Sequence, residues 1–170
     1  MPQPDAYDAG PPRPLRIFLC HPSNDGPAVR LLYRRLLAAS LDVWLDEMNL
    51  VAGQGRDYET VKAVSAADVV IVCLSCGDVP AGMRFALDVA DAQPADTVLV
   101  LPLRLEECEI PERLRSWQPL DYFADDGYLR LMRALLGRAE TLHLGMDSRR
   151  GLLEPALERA IGRREFLLHY

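Results

Sequence analysis

Two rhythms of apolar residues alternate along the chain. Short runs of aliphatic side chains recur at residues 15–20, 42–45, 69–74 and 97–103, and between them apolar positions fall three and four apart. The first rhythm is that of strands, the second that of amphipathic helices. Residues 15–20 carry Leu15, Ile17, Phe18, Leu19 and Cys20 and are entered directly from Pro14. Ser23-Asn24-Asp25-Gly26-Pro27 then joins turn formers, helix N-caps and a proline suited to a first helical turn. Val29, Leu32, Tyr33, Leu36 and Leu37 follow as the stripe of a helix, with Arg30, Arg34 and Arg35 off it.

Beyond the second strand, 42–45, a polar loop ends in Gly53-Gln54-Gly55, and a helix is expected over 57–64 with Val61 and Val64 inward. The run 69–74 is apolar throughout, as a parallel strand covered on both faces must be. A short helix over 83–92 puts Met83, Leu87 and Ala90 on one side. A fourth strand over 97–103, a shorter fifth near 117–120 and a last helix over 127–136 complete the series. Strands and helices alternating through short connections predict an α/β fold, with a parallel sheet between two helix layers.

The ends of the chain read differently. Residues 1–14 hold five prolines, two aspartates and few apolar side chains, so nothing offsets the entropy of ordering them, and a disordered lead-in is expected. Residues 139–170 read as a helical extension, with Leu153, Leu157, Ala160 and Ile161 on one face and an apolar finish at Phe166-Leu167-Leu168-His169-Tyr170. Composition changes this picture little: 170 residues, 49% of them apolar, suffice for one domain with a real core. A net charge of −6 speaks against a nucleic-acid partner. No apolar run approaches the roughly 20 residues of a membrane span, and no signal peptide opens the chain, so a cytoplasmic protein without a membrane partner is expected.

Three stretches carry a resemblance. They are Leu15-Arg16-Ile17-Phe18-Leu19-Cys20-His21-Pro22-Ser23-Asn24-Asp25, the segment from Asp42-Val43-Trp44-Leu45-Asp46 through Leu50-Val51-Ala52-Gly53 to Arg56, and Asp68-Val69-Val70-Ile71-Val72-Cys73-Leu74-Ser75. In that order and at that spacing they resemble a bacterial Toll/interleukin-1 receptor (TIR) domain over residues 15–136. The W-x-D…L-x-x-G loop is the most specific part. The resemblance implies a flavodoxin-like, five-stranded sheet of order 2-1-3-4-5 spanning the domain 15–138, with a ligand site beyond the carboxyl ends of the first and third strands. It also implies that the loop 46–56 gates the pocket and docks on a neighbouring TIR domain, a contact that propagates rather than closes.

The family's enzymes split nicotinamide from the ribose of NAD, which asks for a carboxylate to steady an oxocarbenium-like transition state and for a shaped pocket. Laying Ala86-Leu87-Asp88 on the family pattern puts Gly82 where that glutamate stands, and the connection 75–82 is short and lacks the usual aromatic. Asp78 in that connection is the candidate surrogate, although Gly-Asp-Val-Pro is also an ordinary turn. Asp88 and Asp91 read as a solvated helix face, and Glu47 and Glu59 as surface charge. His21, Ser23 and Asp25 at the mouth of a helix N-terminus, with Leu50, Gly53 and Arg56 of the loop, are the candidate cofactor-binding residues; capping alone explains Ser23, Asn24 and Asp25 equally well.

NAD is thus expected as ligand or substrate and not as a tightly held cofactor. The leading expectation is a signalling module working by homotypic TIR–TIR association with its NAD-cleaving centre degraded, its partner itself or a catalytically complete TIR domain. The alternative is an active NAD glycohydrolase of antiviral or stress-triggered cell suicide. An isolated flavodoxin-type nucleotide-binding domain would not need the W-x-D…L-x-x-G loop. Of the four cysteines, only Cys73 and Cys76 have metal-ligand spacing and a second pair is missing, so no metal is expected and Cys20, Cys73, Cys76 and Cys108 read as reduced thiols.

Overall fold

Strand β3 (Val69–Leu74) is buried at all six positions, and the remaining elements are arranged to keep it so. The computed structural model describes residues 13–22, 26–45, 49, 51–53, 55–76, 79–142 and 144. In chain order these form β1 (Arg16–Cys20), α1 (Gly26–Ala38), β2 (Asp42–Leu45), α2 (Arg56–Ala66), β3, α3 (Ala81–Asp91), β4 (Leu99–Arg104), a single 3-10 turn (Glu112–Leu114), β5 (Leu120–Asp121) and α4 (Gly127–Thr141). The sheet is parallel, in the order β2-β1-β3-β4-β5 that the resemblance implied.

Successive side chains of a strand point to opposite faces, and the two cores follow that alternation. Ile17, Leu19, Val69, Ile71, Cys73, Leu101 and Leu103 face α1 and α4, meeting Leu32, Leu36, Leu131 and Leu135. Phe18, Cys20, Val70, Val72, Leu74 and Val100 face α2 and α3, meeting Val64, Met83, Leu87 and Leu114. Each fully buried aliphatic side chain contributes about 1.5–3 kcal/mol over leaving it in water. No helix of the described residues is long and apolar enough to cross a membrane.

Several expected details shift. Leu37 is 43% exposed: the sheet takes Val29, Leu32, Tyr33 and Leu36, and Leu37 lies roughly 100° round the helix from Leu36. On α2, Thr60 and Val64 face inward and Val61 is 40% exposed, because inward-facing Thr60 turns its neighbour out. Strand β4 starts at Leu99 and not at 97, since Asp96 sits at φ 62° and Thr97 N–H closes a turn onto Pro94 O. Strand β5 is short and late because Trp117 N–H is spent closing the 3-10 turn onto Leu114 O and Pro119 has no N–H to give. Helix α4 runs on to Thr141, kept by buried Leu135 and Ala139. Gly127 at its start is obligatory, for a Cβ there would overlap the Tyr122 carbonyl. The C-terminal pattern over 148–164, the apolar finish and residues 1–12 of the lead-in lie outside the described residues.

The amino edge of the sheet is clasped by Asp68. Its carboxylate accepts from both Arg13 guanidinium nitrogens, at 2.7 and 3.0 Å, and from Arg16 N–H at 2.8 Å. Its N–H donates to Arg16 O and its carbonyl accepts from Leu99 N–H and from Arg138 Nε at 3.3 Å. Arg138 also donates to Asp96 O and Thr97 O, so α4, β1, β3 and β4 meet there. The bidentate bond to Asp68 holds the Arg13 guanidinium above its ordinary value. At the other edge Arg104 and Asp121, neighbours across β4 and β5, form an ion pair, and Arg104 also donates to Cys108 O and stacks on Phe123.

Asp68→Ala leaves the Arg16 N–H and a half-buried guanidinium without their acceptor and is expected to cost about 2–3 kcal/mol in urea unfolding; a loss under about 0.5 kcal/mol contradicts the clasp. The bond from Arg104 holds the Asp121 carboxyl below its ordinary value. The stability it brings is therefore present above the unfolded value near about pH 4 and is lost as pH falls through the folded one. Asp121→Asn should cost about 0.5–1 kcal/mol at neutral pH, and its stability should converge with that of the parent below about pH 4.

Candidate functional site

Parallel strands all point their carboxyl ends to one edge, and where β1 sends its chain one way and β3 the other, the connections part and leave a crevice. A cavity of about 390 Å³ lies there, within the size range of ligand pockets. Its floor is the end of β1, with Phe18, Leu19, Cys20 and His21, and Leu45 of β2. The first turn of α1 gives Gly26 and Arg30, the start of α2 gives Arg56, Asp57 and Thr60, and Pro80 with the start of α3 gives Gly82, Met83 and Phe85.

Three helices thus bring their amino ends, with positive dipole ends, to one crevice. Two arginines add to that field. Arg30 donates from Nε to Gly26 O at 3.3 Å, and a Cβ on Gly26 would crowd the same guanidinium. Asp57 is a pocket carboxylate. His21 hydrogen-bonds through Nδ1 to Pro22 O at 2.7 Å; a carbonyl only accepts, so the proton sits on Nδ1.

Of the residues singled out from sequence, the structure brings His21, Arg56 and Gly82 to this cavity. Gly53 is not among the described lining residues. It sits in an exposed turn at φ 91°, the left-handed region where glycine is favoured, which is what the last position of L-x-x-G requires. Ser23, Asp25, Leu50 and Asp78, like Asn24 and Glu47, lie outside the described residues. Gly82 is exposed in the first turn of α3, which carries no acidic residue, and a Cβ on it would meet nothing within 4 Å. Asp88 and Asp91 point elsewhere, receiving hydrogen bonds of 2.7 and 2.9 Å from Arg113, which tie α3 to the 3-10 turn. Those bonds, Asp91's first, hold the Arg113 guanidinium above its ordinary value. Glu59 pairs with Lys62 one turn on.

Sequence reading did not single out Arg30, Asp57, Thr60 or Phe85 for the site. For Asp57 the signal was present: it opens the helix that follows the Gly-rich loop, and that helix must start at the carboxyl edge. Among the described residues no three His, Cys, Asp or Glu side chains gather as a metal site. Cys20 and Cys73 are buried, and the Cys20 thiol donates to Ile71 O at 3.5 Å.

Sheet order and a crevice at the β1/β3 switch point define a flavodoxin-like α/β domain with a ligand-type pocket. Within that class the sequence matches the TIR domain family over residues 17–136, and the chain belongs to that family. Among solved structures it is similar to the TIR domain of the Toll-related receptor TRR-2 from Hydra magnipapillata, with 17% identity and a TM-score of 0.60 over 70% of this chain and 96% of that one. It is also similar to a prokaryotic SEFIR domain, with 18% identity and a TM-score of 0.56 over 71% of this chain and 92% of that one. Both likenesses are of fold. None of the functionally curated proteins matches the sequence significantly.

Because Gly82 has ordinary helical geometry and open space around it, Gly82→Ala is expected to raise stability by about 0.5 kcal/mol through the lower entropy of the unfolded chain. A loss of stability, measured by urea unfolding, would mean that the first turn of α3 needs the glycine.

Proposed function

We propose that this TIR domain is a signalling module that acts in the cytoplasm by associating with other TIR domains, itself or a catalytically complete one, and that its NAD-cleaving centre is degraded. The observation that carries the degraded centre is Gly82: an exposed glycine, with no acidic residue in the first turn of its helix, at the position where the family's glutamate is expected. A hydrogen atom cannot steady a cationic sugar, and Arg30 and Arg56 at the pocket wall repel one. Those arginines and the converging helix ends favour the phosphates of a dinucleotide, so the pocket keeps features of a binding site without a carboxylate at the position where the family's glutamate is expected.

Association draws its support from the loop and the helix it leads into. Val51, in the L-x-x-G stretch, is 63% exposed; Tyr58 and Val61, three residues apart on one face of α2, are 67% and 40% exposed. Apolar side chains held out in water beside a glycine-fixed turn are what a docking surface needs.

A second reading, an active NAD glycohydrolase, is favoured by one observation: Asp57 lines the same cavity. In that reading Asp57, or Asp78 outside the described residues, supplies the carboxylate.

Light scattering of the full chain against concentration tests the leading reading. The parent is expected to assemble. Val51→Asp and Gly53→Ala should each raise the concentration for half-assembly by about tenfold or more; Val51→Asp should leave the unfolding midpoint nearly unchanged, and Gly53→Ala, which strains the turn, should lower it modestly. Scattering curves that superimpose would remove the loop from the association surface.

A further inference from the structure

The ladder between β3 and β4 pairs Cys73 with Leu103 and Leu74 with Arg104, and Leu105 N–H extends it by donating to Leu74 O at 2.8 Å. The two chains therefore leave the sheet side by side, and each connection carries one cysteine, Cys76 after β3 and Cys108 after β4. Hydrogen bonds join the connections. Cys76 N–H donates to Glu106 Oε1 at 2.9 Å, and the Cys76 thiol donates to Glu107 O at 3.7 Å. A carbonyl oxygen lies roughly 2.8 Å from the next Cα of a trans peptide, so the Cys76 sulfur is within about 6.5 Å of the Cys108 Cα. Bridged cysteines have Cα atoms roughly 4.4–6.8 Å apart, a range that this sulfur-to-Cα bound allows, and the Cys76 thiol is close enough to act electrostatically on that of Cys108. Access separates this pair from the others: Cys76 is exposed and Cys108 half-buried, whereas Cys20 and Cys73 are buried inside the cores.

We propose that Cys76 and Cys108 are a reversible thiol–disulfide pair, a modification site at the carboxyl edge of the sheet. Its oxidised state ties the connection leading into α3 to the one leaving β4. The co-reactant is a low-molecular-weight disulfide of the glutathione class. Cys76, deprotonated, attacks one sulfur of that disulfide. A bond forms between the Cys76 sulfur and the attacked one, the co-reactant's S–S bond breaks, and one glutathione leaves as thiolate and takes up a proton. The Cys108 thiolate then attacks the Cys76 sulfur and displaces the second glutathione. The chain loses two electrons and two protons, and the co-reactant gains both.

Burial holds the Cys108 thiol above its ordinary value, with Arg104 opposing that shift and Cys76 adding to it, and exposure makes Cys76 the thiol that meets the co-reactant first. The link would close the stretch 76–108 around all of α3, whose first turns carry Gly82, Met83 and Phe85 of the cavity wall. Oxidation therefore adds a covalent tie to the segment that carries one wall of the pocket.

The test uses the full chain, reduced and then incubated with oxidised glutathione, and reads intact mass, a peptide map after alkylation, and thermal unfolding. The expected product is lighter by two hydrogens, joins Cys76 to Cys108, leaves Cys20 and Cys73 alkylated only after unfolding, and melts roughly 5 °C or more higher until a reductant is added. Cys108→Ser should stop at a glutathione adduct on Cys76. The proposal fails if the parent chain stays unmodified, keeps the adduct on Cys76, cross-links another pair or two chains, or melts lower once oxidised.

Discussion

A strand that is apolar on both faces cannot be covered from one side, and β3 imposes that condition on the whole chain. Val70, Val72 and Leu74 need one helix layer and Val69, Ile71 and Cys73 need another. With β1 and β4 hydrogen-bonded along its two edges, every route out of the sheet passes over one of its ends. Connections and helix amino ends then collect at the carboxyl edge, where backbone N–H groups without intrahelical partners face a crevice. The position of the pocket follows from the burial of β3 and needs no ligand to explain it.

The two edges of the sheet divide the labour. At the amino edge, Asp68, Arg13 and Arg138 tie β1, β3, β4 and α4 together with short bonds to buried or half-buried partners. At the carboxyl edge the polar groups face a cavity, and the surroundings present exposed Val51 and Tyr58, an exposed thiol at Cys76 and an exposed glycine at Gly82. Bonding concentrated at one edge leaves the other free to carry exposed groups. In the proposed reading, association and pocket chemistry are both drawn from that second edge.

Much of the fold was legible because burial on two faces leaves a signature: the short, β-branched apolar run 69–74, set between helical patterns, reads as a covered parallel strand. Sheet order came from the resemblance carried by Trp44, Asp46, Leu50 and Gly53, since periodicity does not say which strands are neighbours. Helix faces were read less well where the stripe was only partly apolar. Apolar spacing points Val61 and Val64 inward, yet Thr60 is the residue buried beside Val64 and Val61 is 40% exposed. Arg13 looked like part of a featureless proline-rich segment, and only its partner Asp68, far along the chain, gives it a role. Arg30 and Asp57 became pocket residues through tertiary convergence of helix ends, which local pattern does not encode.

The central claim is that this TIR domain recognises its own kind through a surface beside a pocket that has lost the charge needed for cleavage. Nicotinamide release from NAD by the purified full chain, at concentrations where it assembles and with a crowding agent present, tests that claim most directly. The account predicts release no faster than from NAD in buffer. Sustained release that disappears in Asp57→Asn or Asp78→Asn would contradict it.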